Sequence, residues 1–258
     1  MLAYRYDGSF EGLLSAVFDA YSTKRFPELV LEEGSIAPLT VTETHLAVTR
    51  QDKADRVYAG LERRLSPTGR GEFMRVWCAE TAERANLLFR FFCLVFDTAE
   101  ETSLDYMHPA YFEVRELARK VQREAHLLQG FARFQKTKEG IYFCAVTPRY
   151  NVLPFLVPHF VDRLAGTRWI VHDAARGYGM YHDTRRLHEM RLEEKLLHGG
   201  LLPEALLAEQ ELLFQALWKR YFAAAAVPER VNPALQARLM PRRFWSCMTE
   251  LQPARRHG

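Results

Sequence analysis

No run of about 18 apolar residues occurs in this 258-residue chain, so no membrane-spanning helix is expected. The opening MLAYRYDGSF lacks the basic-then-apolar layout of a secretory signal, which leads to the expectation of a cytoplasmic protein. The four cysteines, Cys78, Cys93, Cys144 and Cys247, are widely separated and form no CxxC or CxxxCxxC pair. That spacing argues against a zinc ribbon, a disulfide framework, or an iron–sulfur cluster ligated by this chain alone. Buried, reduced thiols are the plain expectation. The sequence also lacks GxxxxGK[ST] and GxGxxG, so neither a P-loop nor a dinucleotide fold is signalled. It has no GxSxG elbow, no HExxH and no HxE…PCxxC deaminase signature.

Charge of one sign is scarce overall. Thirty-five basic residues against 32 acidic ones give a net charge of +3. The distribution is less even than the total. Between Glu113 and Lys138 there are seven basic residues and three acidic ones. From Arg238 to the end there are five arginines and one acidic residue, Glu250. Two local basic zones therefore sit in a nearly neutral chain.

What is present is an ordinary globular composition, 48% hydrophobic and 26% charged, sufficient for a buried core. Leu2–Tyr6 reads as a strand, Asp7-Gly8 as a turn, and Ser9 as the cap of a helix with Leu13, Leu14, Val17 and Phe18 on its apolar face. Residues 53–65 and 82–96 read as helices. The second is apolar nearly all round and so belongs in the core. Glu72–Cys78 (EFMRVWC) is a strand candidate, and residues 111–129 form a helix for which Gly130 is a plausible stop. Residues 141–147 make a strand apolar on both faces, which points to an interior position. A helix opening near Asn151 and Pro154 follows. Trp169–Asp173 and Tyr178–His182 flank Ala174-Ala175-Arg176-Gly177, a hairpin signal. Beyond Thr184 the chain reads as helical, with a long helix over 204–226 and another opened by Asn232-Pro233. The expected architecture is helix-rich α+β with a small mixed or antiparallel sheet that includes this hairpin. The expected division is an α+β domain over 1–198 and a helical extension packed on it over 199–258, with Gly199-Gly200 at the hinge.

Two groups of residues are able to carry chemistry. The first surrounds the hairpin: Arg168, Trp169, His172, Asp173, Arg176, Tyr178, Tyr181, His182 and Asp183. His172 and Asp173 are the acid–base candidates, although a His-Asp pair at a strand end also serves as a turn, with Asp accepting backbone N–H bonds. Arg168, His172 and Arg176 are the candidates for a shared polar face. The second group is Arg133, Phe134, Lys136, Arg149, Tyr150, Asn151, His159 and Phe160. Basic residues interleaved with aromatics suit a surface that contacts phosphates and stacks on exposed bases. Arg242, Arg243, Phe244 and Trp245 repeat the theme, there with inward packing of the aromatics as the stronger reading.

The tract RFQKTKEGIYFCAVTPRYNVLPFLVPHFVDRLAGTRWIVHDAARGYGMYHD, the opening YDGSFEGLLSAVFDAY and the segment Met240–Trp245 resemble an uncharacterised bacterial family described as probable DNA metabolism proteins. The central motif is carried by Arg133, Phe134, Gly140, Pro148, Pro154, His159, Phe160, Trp169, His172, Asp173, Arg176 and Tyr181. The resemblance implies a gene neighbour of the radical S-adenosylmethionine class, with the iron–sulfur cluster and S-adenosylmethionine held by that partner and no cofactor on this chain. Related domains occur fused to uracil-DNA glycosylase-like domains. No catalytic set comes with the family. The leading expectation is therefore a DNA-binding accessory protein in repair or modification, acting on single-stranded or damaged DNA. Its contacts would be Arg133, Phe134, Lys136, Arg149, Tyr150, His159, Arg168, Arg176 and Tyr181. The alternatives are an enzyme acting on a damaged base or the DNA backbone through His172 and Asp173, and a scaffold that binds only protein.

Overall fold

The computed structural model describes residues 1–98, 108–192, 201–227, 229 and 231–252. The chain forms two compact units, residues 1–122 and 123–258. The Gly199-Gly200 hinge and the basic tail at 255–257 lie outside the described residues.

The first unit is built on a parallel three-stranded sheet in the order β2-β1-β3, with β1 at Leu2–Tyr6, β2 at Leu29–Glu32 and β3 at Glu43–Leu46. Gly8, at φ +83°, turns the chain out of β1. The Ser9 hydroxyl then accepts the Gly12 N–H at 2.9 Å and caps α1 (Phe10–Thr23). The helices α2 (Gln51–Arg64), α3 (Pro67–Trp77) and α4 (Arg84–Asp97) follow. Leu88, Phe91, Phe92 and Val95 of α4 are buried, as its all-round apolar pattern requires. Phe92 meets Phe73 of α3 edge to face, with ring centroids 5.3 Å apart.

The segment expected to be a strand at 72–78 is part of α3. Ser66 caps that helix by accepting the Gly69 N–H at 3.2 Å, and Pro67 occupies its first turn. The buried residues Phe73 and Val76 are three apart, which is helical spacing and not an alternation.

Helix α5 (Pro109–Phe131) leads into the second unit and runs through Gly130, the expected stop. The second unit carries a five-stranded mixed sheet in the order β4-β5-β6-β7-β8. Its strands are β4 (Gln135–Lys136), β5 (Tyr142–Val146), β6 (Trp169–Asp173), β7 (Tyr178–His182) and β8 (Leu187–Arg191). β5 and β6 are parallel and joined by α6 (Leu153–Arg163), and β6–β7 is the expected antiparallel hairpin. β5 and β6 are buried along nearly their whole length, as interior strands must be. The fold is thus α+β with a small mixed sheet containing the hairpin. The second, parallel sheet was not anticipated.

Two elements after Thr184 differ from the expected run of helix. Residues 187–191 form the edge strand β8, whose residues are mostly exposed and polar and so carry little periodic signal. The long helix expected from Glu204 begins at Glu211 and is α7 (Glu211–Ala225). Residues before it instead line the free edge of β4. The Lys138 N–H donates to the Leu206 carbonyl at 3.0 Å, and the Ala208 N–H to the Lys136 carbonyl at 2.9 Å. An open strand edge captured this segment. α8 (Pro233–Leu239) starts where expected, capped by Asn232.

Candidate nucleic-acid interface

The pairing of residues 206–208 with β4 fixes where α7 starts. The buried carboxylate of Glu211 reinforces it by accepting the Lys136 N–H at 3.1 Å and the Gln215 side-chain N–H at 2.9 Å. α7 therefore rises beside β4 and β5 and leaves a groove of about 520 Å³. Phe134, Tyr142, Phe214 and Trp218 supply aromatic rings to it, Gln210 and Gln215 supply amides, and Lys136 supplies a cation. Phe214 is 58% exposed, an unusual cost for a phenylalanine without a ligand or partner to cover it.

Arg133 also lines this groove, but its guanidinium is already committed. It donates to Glu250 Oε1 at 2.7 Å and to the Gly130 carbonyl at 2.8 Å, and it lies 5.5 Å from the centre of the Trp218 ring. Burial alone would raise the Glu250 carboxyl. The hydrogen bond and charge of Arg133, with further hydrogen bonds from the backbone and from Trp218, together outweigh this and hold it below the usual carboxylate range. Arg133 thus braces the groove wall. Among the described residues no carboxylate pairs with Lys136, whose ammonium is 5.8 Å from the Tyr142 ring centre.

A second cluster forms where β5 and β6 end. Asp173, fully buried, accepts the Ala175 N–H at 2.9 Å and the Arg176 N–H at 3.2 Å, and pairs with the Arg176 guanidinium at 2.9 Å. These bonds shape the hairpin turn, which Gly177 completes at φ +68°. Arg176 also reaches the Pro148 and Arg149 carbonyls, at 3.3 and 3.1 Å, and so ties the turn to the β5–α6 loop. Burial pushes the Asp173 carboxyl above its ordinary range, and Arg176 with the two N–H groups opposes that shift without cancelling it.

His172 alternates with Asp173 along β6 and so faces the other side of the sheet. It is 1% exposed, its Nδ1 has no hydrogen-bond partner, and burial pushes its pKa below the ordinary imidazole value. Gly179 lies opposite it on β7, where a Cβ would come within 3.3 Å of Nδ1 and 2.8 Å of the Val171 carbonyl. The two acid–base candidates therefore do not meet across a common cleft.

Of the remaining candidates, Arg149 and Tyr150 stay beside Arg176 and the others are dispersed. Tyr150 is buried, and its N–H donates to Glu124 at 2.9 Å. Arg149 is exposed beside it. His159 is half-buried on α6 with its ring 5.2 Å from that of Phe160, and Tyr181 is half-buried on β7, 6.0 Å from His188. Arg168 is exposed and donates to the Glu139 carbonyl. It precedes the first residue of β6 while Arg176 follows the last, so the strand separates them by roughly 17 Å. Arg168, His172 and Arg176 accordingly do not form one polar face.

The groove brings together three of the nine expected nucleic-acid contacts, Arg133, Phe134 and Lys136. Sequence reading missed Tyr142, Phe214, Gln215 and Trp218. Phe214, Gln215 and Trp218 lie in the stretch expected as the long helix over 204–226, which by itself marks no site. The available signal was that residues 212, 213, 214, 217, 218, 221 and 222 leave α7 apolar almost all round, more than one neighbouring surface can cover.

All four cysteines are free, and burial pushes Cys93 up to about 12 and raises Cys144 and Cys247 as well. Those three are therefore neutral thiols at pH 7, poor nucleophiles and poor metal ligands. Among the described residues no group of three or more His, Cys, Asp or Glu side chains is placed to hold a metal ion. No described helix is long and apolar enough to cross a membrane.

No curated protein and no solved structure matches this chain. Residues 82–250 match DUF4130, described as a domain of unknown function. That match spans well over half of the chain and contains every residue of the groove, and the chain belongs to this family.

Proposed function

We propose that this chain is a DNA-binding accessory protein for repair or modification, and that its groove holds an unpaired base of single-stranded or damaged DNA. The observation that carries the reading is the exposed Phe214 ring, set in a groove with three further aromatic side chains and the Lys136 ammonium. A flat heteroaromatic ring stacks on such a surface whatever its identity, and Lys136 attracts the adjoining phosphate. The groove amides offer hydrogen bonds to base edges. In this reading the reaction belongs to a partner of the radical S-adenosylmethionine class, as the family resemblance implies, and this chain presents the strand.

The test is fluorescence anisotropy with a labelled single-stranded oligonucleotide at about 50 mM salt. Stacking contributes about 1–3 kcal/mol per base, so Phe214→Ala should weaken binding about 5- to 150-fold. Because Phe214 is largely exposed, the variant should keep its thermal stability. Full affinity in Phe214→Ala, or no binding by the unaltered protein, overturns the reading.

A second reading, a protein-binding scaffold, is favoured by one observation. Leu213, Leu217 and Tyr221 of α7 are 59%, 50% and 63% exposed. If that face docks a partner, Leu213→Lys with Leu217→Lys should abolish co-purification with the radical enzyme and leave oligonucleotide binding intact.

A further inference from the structure

The arginines at the carboxyl ends of β5 and β6 have a charge arrangement that the groove does not explain. Glu124 is buried, and one of its oxygens, Oε1, accepts the Arg149 N–H at 3.2 Å and forms an ion pair with the Arg243 guanidinium at 3.1 Å. The backbone of residue 149 and the Arg243 side chain thus meet at one carboxylate oxygen. Thr147 and Ser246, whose hydroxyls are 3.4 Å apart, join the same two segments a second time. From below, Arg176 reaches the Arg149 carbonyl.

The two carboxylates of this cluster, Glu124 and Asp173, have side chains only 1% and 0% exposed. The cations face outward. The Arg243 side chain is 50% exposed, and Arg149 and Arg242 are exposed residues. Among the described residues no carboxylate pairs with Arg149 or Arg242; each guanidinium rests on a neighbouring ring, of Tyr150 at 5.5 Å and of Trp245 at 5.7 Å. Four guanidiniums against two buried carboxylates leave a surplus of two positive charges on the solvent side. The patch also lies outside the carboxyl ends of adjacent parallel strands, where open sheets commonly take ligands.

We infer that Arg149, Arg242 and Arg243 form a phosphodiester-backbone site, and that the ligand is an oligonucleotide engaging patch and groove together. This rests on the groove reading above. The two places are linked by one segment, which carries Arg242 and Arg243 at one end and Thr249, a groove residue, at the other. At a 3₁₀ rise of about 2 Å per residue, with Met248 extended between two turns, the chain from Arg242 to Thr249 covers at most about 15 Å, a reach suited to a short strand. The guanidiniums supply planar, paired donors for phosphate oxygens, and the buried Glu124 fixes Arg243 in place.

The experiment measures binding of a single-stranded oligonucleotide of about 12 nucleotides across a range of salt concentrations. For single strands the slope of log K against log salt is about 0.7 per phosphate neutralised. Arg149→Gln with Arg242→Gln should reduce that slope by about 1.4 and leave thermal stability unchanged. Arg243 is left in place because it pairs with Glu124. Phe214→Ala should lower affinity at every salt concentration with the slope preserved. If the unaltered protein binds in a Phe214-dependent way and the double variant keeps the full slope, the patch is not a backbone site and the inference fails alone. If the unaltered protein does not bind, both readings fail. Charge reversal, Arg149→Glu, gives an independent check: it should reduce the slope further than Arg149→Gln, and an equal slope overturns the inference.

Discussion

Replacing Asp173 by asparagine separates an architectural carboxylate from a catalytic one. In the native turn Oδ1 accepts two backbone N–H groups and Oδ2 accepts the Arg176 guanidinium. Asparagine keeps one acceptor oxygen. Either that oxygen stays with the backbone and the new NH₂ opposes the guanidinium, donor to donor, or it turns and leaves two N–H groups unpaired. A hydrogen bond to a charged group is worth about 1.5–3 kcal/mol. Breaking a buried ion pair outright costs about 3–5 kcal/mol when the remaining charge is stranded. Arg176 is not stranded, since it retains the Pro148 and Arg149 carbonyls. The raised Asp173 pKa also shows that the pair does not fully offset its own burial. Asp173→Asn should therefore cost about 2–3 kcal/mol, a fall of roughly 5–10 °C in Tm for a chain of this size. Thermal unfolding followed by circular dichroism measures it, and a double-mutant cycle with Arg176→Met should give a coupling of about 1–3 kcal/mol. A change below about 0.5 kcal/mol, or a loss of stability without coupling to Arg176, would refute the reasoning.

Three further outcomes follow from named contacts. Glu124→Ala removes the acceptor for the Arg149 and Tyr150 N–H groups. It should cost about 2–5 kcal/mol in urea unfolding, since each orphaned buried donor costs about 1–3 kcal/mol. Gly179→Ala places a Cβ 2.8 Å from the Val171 carbonyl, a backbone atom that cannot swing aside, and should destabilise by about 1–3 kcal/mol in the same assay. His172 has a depressed folded pKa, so the unfolded chain binds more protons below the ordinary value of 6.5. Its contribution is complete above about pH 6.5 and is lost as pH falls toward the folded value, at no more than about 1.4 kcal/mol per pH unit. His172→Gln should flatten the stability profile below about pH 6.5.

Where local chemistry decides the structure, the sequence was readable. Asp7-Gly8 and Ser9 marked the turn and cap between β1 and α1, and the Ala174–Gly177 loop between two alternating segments marked the β6–β7 hairpin. Where tertiary contacts decide, it was not. Residues 204–208 have helical composition, but they form only a single 3₁₀ turn at Glu204–Leu206 before the open edge of β4 pairs with the chain around Leu207. EFMRVWC has strand-like residue types, but Ser66 and Pro67 had already started a helix. The same limit applies to function. Arg133, Phe134 and Lys136 were legible as a basic-aromatic run, while the α7 side of the groove depends on where that helix begins. Arg176 and Asp173 read as a site from their chemistry and proved to be bonded to each other.

An unpaired base held in the groove, as proposed, would lie beside Trp218. Of the four tryptophans Trp218, 38% exposed, is the one that lines the groove, while Trp169 is fully buried and Trp77 and Trp245 are half-buried away from its lining. Titrating single-stranded oligonucleotide into the protein and into Trp218→Phe isolates its signal by difference. The account predicts saturable quenching in the unaltered protein that is largely lost in Trp218→Phe at similar affinity. Equal quenching in both proteins, or binding without any change in emission, would contradict it.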